Sequence, residues 1–244
     1  MQNTFPERST NMAVFTLADL HLSFAVDKPM DIFGSLWEGH TEKLSEYWNY
    51  MVKEEDTVIV PGDISWAMNV SEAEEDFRYI NALNGKKIIM KGNHDYWWQS
   101  LKKLNEFITE KGFDTIKFLH NGAYAAENLI IAGSRGWACE SSPSAEDRKI
   151  IAREAIRFDL SLSEAKKLRG DSDREIVAFS HYPVLSPGEE TSPILEVLVK
   201  HGIKRLYYGH LHGVKEERLI KKAGGIDLTL VSADFRMFTP VRIN

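Results

Sequence analysis

The stretch KIIMKGNHD, residues 87–95, is a short apolar run that leads directly into a polar turn. Residues 87–90 are rich in apolar and β-branched side chains, which is typical of a strand buried on both faces. Gly92 then permits a tight turn and a close approach of the backbone to another group. Asn93, His94 and Asp95 follow at once, so the sequence places three polar side chains just beyond the end of a predicted strand.

The same arrangement recurs along the chain. Further strands are predicted from apolar runs at residues 13–17, 57–60, 130–132, 176–179 and 203–208. Polar residues follow four of these runs: Asp19, His21, Asp63, His181, His210 and His212. Because ligands gather at the carboxyl ends of strands in an open α/β sheet, we expect these side chains to lie close together.

Helical periodicity separates the predicted strands. It is found at residues 36–53, 71–83, 101–111, 145–168 and 194–201. The second of these helices opens with Ser71 and Glu74, a pattern that predicts a capping box. Residues 214–220, 226–232 and 237–243 have the texture of strands. The order of elements predicts an α/β protein, largely parallel at its centre and antiparallel near its C-terminus, with one domain over residues 12–244 and a flexible polar leader at residues 1–11.

Composition excludes several classes of protein. The 244 residues carry a net charge of −6, which argues against an extended nucleic-acid partner or an anionic membrane surface. No apolar run is long enough to cross a bilayer, so no membrane partner is expected. Cys139 is the single cysteine, which fits a reducing cytoplasm and excludes an internal disulfide. We therefore expect a cytoplasmic protein whose partner is a small molecule.

Histidine and carboxylate side chains at strand ends are the residue types that divalent metals prefer. Asp-x-His and His-x-His pairs in extended backbone point both side chains to one face, so each pair can supply two ligands to one point. Each motif has an ordinary alternative, because a lone Asp is often a helix cap and Gly-Asn-His-Asp can be a simple turn. Five such motifs in order, each after an apolar run, favour a metal site over these alternatives.

These five motifs resemble the pattern of the calcineurin-like metallophosphoesterase family. The family pattern is Asp-x-His, Gly-Asp, Gly-Asn-His-Asp/Glu, His and Gly-His-x-His, and each block is intact between about Met12 and Val214. The resemblance implies a four-layer α-β-β-α sandwich of two mixed sheets flanked by helices. It also implies a dinuclear metal centre at one edge of the sandwich.

The resemblance further implies which residues bind the metals. The first ion would be held by Asp19, His21, Asp63 and His212. The second ion would be held by Asp63, Asn93, His181 and His210, so that Asp63 bridges the two. His94 would lie near the phosphate or the leaving group, and Asp95 would orient it. His94 and Asp95 are therefore the predicted catalytic residues.

The function expected on this basis is metal-dependent cleavage of a phosphoester bond by a hydroxide that two divalent ions per chain activate. Mn or Fe is favoured, while Zn, Co and Ni also suit the mixed nitrogen and oxygen ligands. The expected substrate is a small phosphodiester or a nucleotide-like ester. Two alternatives remain: a phosphomonoester phosphatase, which includes protein phosphatases, and a module that holds metals but only binds a partner.

Four further residues are predicted to contact the substrate. Trp66 and Trp97 follow the second and third motifs and could form an aromatic wall, although core packing is the alternative for both. Arg135 and Arg236 follow predicted strands and could reach a phosphate, although an exposed arginine on the surface is the alternative. His40, His120 and His201 are predicted to be ordinary capping or solvent-facing residues.

Overall fold

The computed structural model describes residues 12–138 and 142–244, and the predicted leader at residues 1–11 lies outside them. Within the described residues the strands are β1 (Val14–Thr16), β2 (Thr57–Val60), β3 (Lys86–Ile89), β4 (Ile116–Phe118), β5 (Ala123–Ala126), β6 (Leu129–Ser134), β7 (Glu175–Ser180), β8 (Arg205–Tyr208), β9 (Lys222–Ala223), β10 (Ile226–Leu230) and β11 (Val241–Arg242). The α-helices are α1 (His40–Met51), α2 (Glu74–Ala82), α3 (Leu101–Lys111), α4 (Ala145–Arg169) and α5 (Pro193–His201). Short 3₁₀ helices occupy Met30–Phe33, Ser35–Trp37 and Glu216–Arg218.

The strands form two mixed sheets. The first has the order β11-β1-β2-β3-β4, and its four sequential strands are parallel while β11 is antiparallel to β1. The second has the order β5-β6-β7-β8-β10-β9, in which β6, β7, β8 and β10 are parallel. The outer strands β5 and β9 pair antiparallel with their neighbours.

Three clusters of buried side chains stack these elements into four layers. One cluster packs α1, α2 and α3 on the outer face of the first sheet, with Trp48 and Phe77 among its fully buried members. A second packs α4 and α5 on the second sheet around Phe158 and Leu198. The third lies between the sheets and includes Phe179. The result is the α-β-β-α sandwich of two mixed sheets that the family resemblance implied.

The two sheets meet at the edge formed by the carboxyl ends of their parallel strands. Ala18, just beyond β1, pairs with Ser232, just beyond β10, through an isolated parallel bridge. The backbone N–H of Ala18 donates to Val231 O at 2.8 Å, and that of Ala233 donates to Ala18 O at 2.9 Å. Loops that follow strands of both sheets are thereby held side by side at this edge.

Several predicted elements differ from those observed. The helix predicted to start at Ser71 begins at Glu74, and its N-cap is Ala73 with no side-chain cap, so the predicted capping box is wrong. The strand predicted at residues 214–220 is also wrong, because this exposed segment holds the 3₁₀ helix Glu216–Arg218 and pairs with no strand among the described residues. The C-terminal part is only partly antiparallel, since β10 runs parallel to β8. No helix in the described ranges is long and apolar enough to span a membrane.

Candidate metal centre

Both sheets contribute ligands to one site at the edge where they meet. The loops after β1, β2 and β3 carry Asp19, His21, Asp63 and Asn93, and the loops after β7 and β8 carry His181, His210 and His212. Two groups of side chains converge there: Asp19, His21 and His212, and Asp63, His181 and His210. Within each group the candidate ligand atoms lie within 4.8 Å of one another. Six of the seven predicted metal ligands are therefore brought together, and the seventh, Asn93, lies beside the second group.

Asn93 contacts ligands of the second group, and Asp63 links the two groups. Asn93 Oδ1 lies 2.7 Å from His181 Nε2 and 2.9 Å from His210 Nδ1. Asp63 Oδ2 lies 3.4 Å from His181 Nε2 in the second group and 3.8 Å from His21 Nε2 in the first. One oxygen of Asp63 thus faces both groups, as a bridging carboxylate requires.

The first group has its own close contact. His21 Nε2 lies 3.2 Å from His212 Nε2, and His212 Nε2 lies 3.9 Å from Asp19 Oδ1. His212 Nδ1 is 2.9 Å from Asp234 Oδ1, a carboxylate that accepts the Nδ1 proton. His212 Nε2 therefore has a free lone pair that faces His21 and Asp19, and this is the arrangement that a carboxylate–histidine–metal triad requires.

A similar contact orients His181 in the second group. Its Nδ1 lies 3.0 Å from Pro61 O, which can only accept a hydrogen bond, so the proton sits on Nδ1. The Nε2 atom then faces Asn93 Oδ1 and Asp63 Oδ2, where a cation, or a second proton, would satisfy the converging lone pairs. Mixed imidazole, carboxylate and amide donors fit divalent transition metals.

Four of the ligand residues have left-handed backbone conformations. The φ angles are +60° at Asp19, +47° at His21, +53° at Asp63 and +73° at His210. Such angles are uncommon for residues other than glycine, and strained backbone of this kind concentrates at functional sites. Backbone hydrogen bonds between the loops hold this geometry, since Asp19 N donates to Gly62 O and His21 N donates to Asp63 O, both at 3.0 Å.

Two glycines leave room for the ligand carboxylates. A Cβ atom on Gly92 would lie 2.1 Å from Asp63 Oδ1, and one on Gly209 would lie 2.5 Å from Asp19 Oδ2. No side chain fits at either position while the carboxylate keeps its place. The glycines of the Gly-Asn-His-Asp and Gly-His-x-His motifs are thus explained by contact with ligands from other motifs.

Residues 12–214, which include all seven ligands, match the family of calcineurin-like phosphoesterases. The chain belongs to the calcineurin-like phosphoesterase family. No curated protein sequence matches the chain significantly.

Three solved structures of low sequence identity share the fold of this calcineurin-like phosphoesterase. TT1561 of Thermus thermophilus aligns with a TM-score of 0.59 at 13% identity, over 96% of this chain and 99% of that one. The protein of unknown function AQ665 from Aquifex aeolicus aligns at 0.53 and 19% identity, over 95% and 96% of the two chains. The phosphopantetheinyl hydrolase from Mycobacterium tuberculosis aligns at 0.53 and 13% identity, over 96% of each chain.

Burial and the neighbouring charges set the protonation of the ligands in this phosphoesterase. Burial lowers the pKa of His21 to about 3, and burial together with His181 lowers that of His210 to about 4. Both rings are neutral at pH 7 and offer lone pairs. Burial opposes the charged form of His181 as well, but the Asp63 and Asp19 carboxylates outweigh it and raise the pKa to about 9. The two carboxylates thus favour a positive charge beside His181 Nε2, the atom that faces the converging oxygens.

Asp95 has a different role from the predicted one. Its buried carboxylate accepts the backbone N–H groups of Asp63 (2.9 Å), Ile64 (2.8 Å) and Gly92 (2.6 Å), and Trp97 Nε1 at 3.1 Å. His94 Nδ1 has no hydrogen-bond partner among the residues that the structure describes. The prediction that Asp95 orients His94 is therefore wrong. Asp95 instead holds the loop of Asp63 against the loop of Asn93, because buried N–H groups need an acceptor.

His94 stands beside the ligands at the opening of a cavity. Its ring lies 5.7 Å from that of His21 and 4.3 Å from that of Trp66, between ring centroids. Trp66 also stacks on His21 at 5.0 Å with an interplanar angle of 23°. The cavity has a volume of about 500 Å³, and its lining consists of His21, Met30, Phe33, Leu36, Trp37, Trp66, His94, His212, Gly213 and Asp234. The lining of this cavity thus combines two candidate metal ligands with largely apolar side chains.

The other predicted substrate contacts lie elsewhere. Trp97 is fully buried in the core of the first sheet, so the prediction that it contacts the substrate is wrong and the core-packing alternative holds. Arg236 donates from Nε to Leu230 O at 2.8 Å and does not line the cavity. Arg135 lines a separate cavity. His40 is buried rather than solvent-facing, and its ring lies 5.4 Å from that of Trp37.

Sequence reasoning assigned no role to three residues of the site. Asp234 accepts a hydrogen bond from His212. The sequence contained a signal for this role, because Asp234 is a carboxylate that follows a predicted strand, and that strand, β10, lies beside β8. Trp37 lines the cavity from the 3₁₀ helix Ser35–Trp37, although the sequence pattern predicted the helix that follows β1 to begin at residue 36. Lys28 places Nζ 4.6 Å from the centroid of Trp66, which brings a positive charge to the rim of the site.

Proposed function

We propose that this metal-dependent phosphoesterase binds two divalent cations and cleaves a small phosphodiester or nucleotide-like ester. The observation that carries the proposal is the position of Asp63, one oxygen of which faces both ligand groups. When bound, the two cations would neutralise charge on a phosphoryl group and make water a better nucleophile near neutral pH. A neutral Asn93 limits the negative charge of the ligand set, which favours an anionic substrate.

The chain's own residues position and protonate the substrate. His94 is partly buried, and burial lowers its pKa, so the free ring is neutral at pH 7. From this position it can donate a hydrogen bond to a phosphoryl or leaving-group oxygen, a contribution of roughly 10²–10⁴-fold in rate for a residue that transfers a proton. Lys28 adds a positive charge near this position, since its Nζ lies 4.6 Å from the ring centroid of Trp66.

The nature of the cavity supports the choice of substrate. Phe33, Trp37 and Trp66 offer flat apolar surfaces beside the ligands, suited to a planar or apolar group that leaves with the cleaved oxygen. The net charge of −6 argues against long nucleic acid as the partner. The neighbouring phosphopantetheinyl hydrolase is, by its name, also an enzyme that acts on a phosphorylated small group.

The metals that we favour are Mn and Fe. Histidine nitrogens together with carboxylate and amide oxygens suit both, and Zn, Co and Ni remain compatible with the same donors. Anomalous scattering from crystals of protein made without added metal would identify the ions that the host installs.

The substrate proposal predicts a preference for diesters that depends on Trp66. Wild-type protein should hydrolyse bis(4-nitrophenyl) phosphate with a higher kcat/KM than 4-nitrophenyl phosphate, because the second aryl group rests on the cavity wall. Trp66→Ala should lower kcat/KM for the diester about tenfold, as expected for the loss of one stacked ring worth about 1–3 kcal/mol. Metal content should not change.

The matched control is Tyr50→Ala, which removes an aromatic ring that is 86% exposed on α1. A clear preference of the wild type for the monoester would contradict the proposal and identify a phosphomonoester phosphatase, protein phosphatases included. Absence of turnover with every metal would favour a module that binds metals without catalysis.

A further inference from the structure

A second cavity at the same edge of the sandwich is lined by positive charge. It lies beyond the ends of β3, β4 and β6 and beneath the first half of α4, and its volume is about 360 Å³. Four cationic side chains line it: Lys91, Arg135, Arg153 and Arg157. In a chain with a net charge of −6, such a concentration of positive charge is local and unusual.

Most of this charge has no acidic partner. Glu154 is the buried acid nearby, and its oxygens are engaged by Arg157 Nη1, by Ser134 Oγ at 2.7 Å and by the backbone N–H of Gly136 at 3.2 Å. Among residues 12–138 and 142–244, Lys91, Arg135 and Arg153 form no ion pair.

Arg135 is the residue most clearly prepared for a ligand. Its Nε atom is buried and has no hydrogen-bond partner within the described part of the chain. Its guanidinium group is held over Trp137, 4.9 Å from the ring centroid, and its carbonyl accepts His181 N at 3.0 Å. An unsatisfied buried donor is costly, and a planar guanidinium matches the oxygens of a phosphoryl group.

We propose that this cavity is an anion site, separate from the metal ligands, that takes a diphosphate-like group through Arg135, Arg153 and Lys91. Three unpaired positive charges match an anion that carries more than one phosphoryl group, and arginine forms charge-assisted, bidentate bonds with such oxygens. The volume is within the range of about 300–1,000 Å³ that small-ligand sites occupy. The group is either part of the substrate, away from the bond that is cleaved, or a separate effector.

Calorimetric titration with methylenediphosphonate, which has no hydrolysable P–O–P bridge, tests the site. Each protein is titrated both metal-loaded and stripped with a chelator, because bound divalent cations would also bind this anion. Wild-type protein should bind this anion, and the double variant Arg135→Gln/Arg153→Gln should bind it at least tenfold more weakly. Arg153 is exposed, so the single variant Arg153→Gln provides a substitution that folding tolerates. Arg169→Gln is the matched control, since Arg169 lies at the far end of α4, about 24 Å along the helix from Arg153.

A second arm separates this site from the metal centre. Asp63→Asn, or wild-type protein stripped with a chelator, should still bind methylenediphosphonate. Loss of binding in both of these samples, or unchanged binding in both Arg153→Gln and the double variant, would overturn the proposal. Neither result depends on whether the protein hydrolyses phosphoesters, so failure of the proposed function would be recognised separately.

Kinetics then identify the source of the anion. If it is a separate effector, methylenediphosphonate should change kcat or KM for 4-nitrophenyl phosphate in the wild type but not in the double variant. If it is part of the substrate, the double variant should raise KM for a nucleoside diphosphate ester and leave KM for 4-nitrophenyl phosphate unchanged. Either pattern supports the anion site. It is contradicted if methylenediphosphonate has the same effect, or the same lack of effect, on the wild type and the double variant and the two also share one KM for the nucleoside diphosphate ester.

Discussion

The positions of the candidate metal ligands in this phosphoesterase depend on neighbouring residues that are not ligands themselves. Asp95 fixes the loop of Asp63 through backbone N–H groups, Asp234 fixes the tautomer of His212, and Gly92 leaves the space that the Asp63 carboxylate fills. Each of these contacts joins loops that are distant in sequence. Substitution of such a neighbour should therefore affect metal binding more than it affects folding.

Gly92→Ala should remove metal binding by displacing Asp63. The added Cβ would lie 2.1 Å from Asp63 Oδ1 and 2.2 Å from the Asp63 backbone nitrogen, so the carboxylate must move. We expect metal affinity to fall at least tenfold, measured by titration with Mn²⁺. Gly112→Ala is the control, because its Cβ meets nothing within 4 Å although its φ of +69° makes alanine strained there. Equal metal affinity of the two variants would contradict this account.

Asp234→Asn should weaken the first metal position without changing the fold. Asparagine can present its NH₂ group to His212 Nδ1, which moves the ring proton to Nε2 and blocks the lone pair. Loss of such an outer carboxylate typically lowers metal affinity about 10–100-fold. Asp227→Asn, at an exposed carboxylate of β10, should leave metal affinity unchanged. Wild-type affinity of the Asp234 variant would show that this hydrogen bond does not orient His212.

Among the secondary-structure elements, the sequence predicted those that depend on a local pattern of apolar residues. The apolar runs that precede Asp63 and Asn93 are strands as predicted, because each is buried on both faces. The capping box predicted at Ser71 does not form, because Asn69 and Glu72 form hydrogen bonds with each other and close a turn before the helix begins. Periodicity gave no indication that the 3₁₀ segments around Trp37 would cover the metal ligands, since that placement depends on tertiary packing alone.

The strand β3 contains a buried lysine that joins it to the end of α2. Lys87 Nζ donates to Leu83 O at 2.6 Å, to Gly85 O at 2.8 Å and to Asn81 O at 3.3 Å. Burial disfavours the charged form and lowers the pKa of Lys87 to about 7. The strand that leads to Asn93 is thus tied to its preceding helix by a group that loses its proton more easily in the folded chain.

The lower pKa of Lys87 in the folded chain than in the unfolded chain predicts that stability depends on pH. Between about pH 7 and the ordinary pKa of 10.5, the unfolded chain holds a proton that the folded chain lacks. The free energy of unfolding should therefore rise with pH, by up to about 1.4 kcal/mol per unit relative to Lys87→Met. Urea unfolding at pH 7, 8 and 9 measures the difference, with Lys86→Met, at an exposed neighbour, as the control. Parallel pH profiles of the wild type and Lys87→Met would contradict the prediction.

At the scale of the whole molecule, neither sheet holds a complete site. The first sheet supplies Asp19, His21, Asp63 and Asn93, and the second supplies the three remaining histidines. The five motifs identified the family, because their order in the chain could be compared with a known pattern, and they predicted seven ligands whose side chains the fold brings together. Sequence alone left the orientation of Asp95 and Trp97 open, since both follow Asn93 within four residues. Only the packed loops show that Asp95 accepts backbone N–H groups and that Trp97 is buried in the core.

We propose that the ligand set shared by the two sheets binds two metal ions and that these ions are required for hydrolysis. Elemental analysis of protein from an unsupplemented host, combined with the rate at which the same sample hydrolyses an aryl phosphate ester, tests both statements. We predict close to two ions per chain in an active wild-type sample, and loss of both metal and activity in Asp63→Asn. A metal-free sample that still hydrolyses the ester at the wild-type rate would contradict the claim.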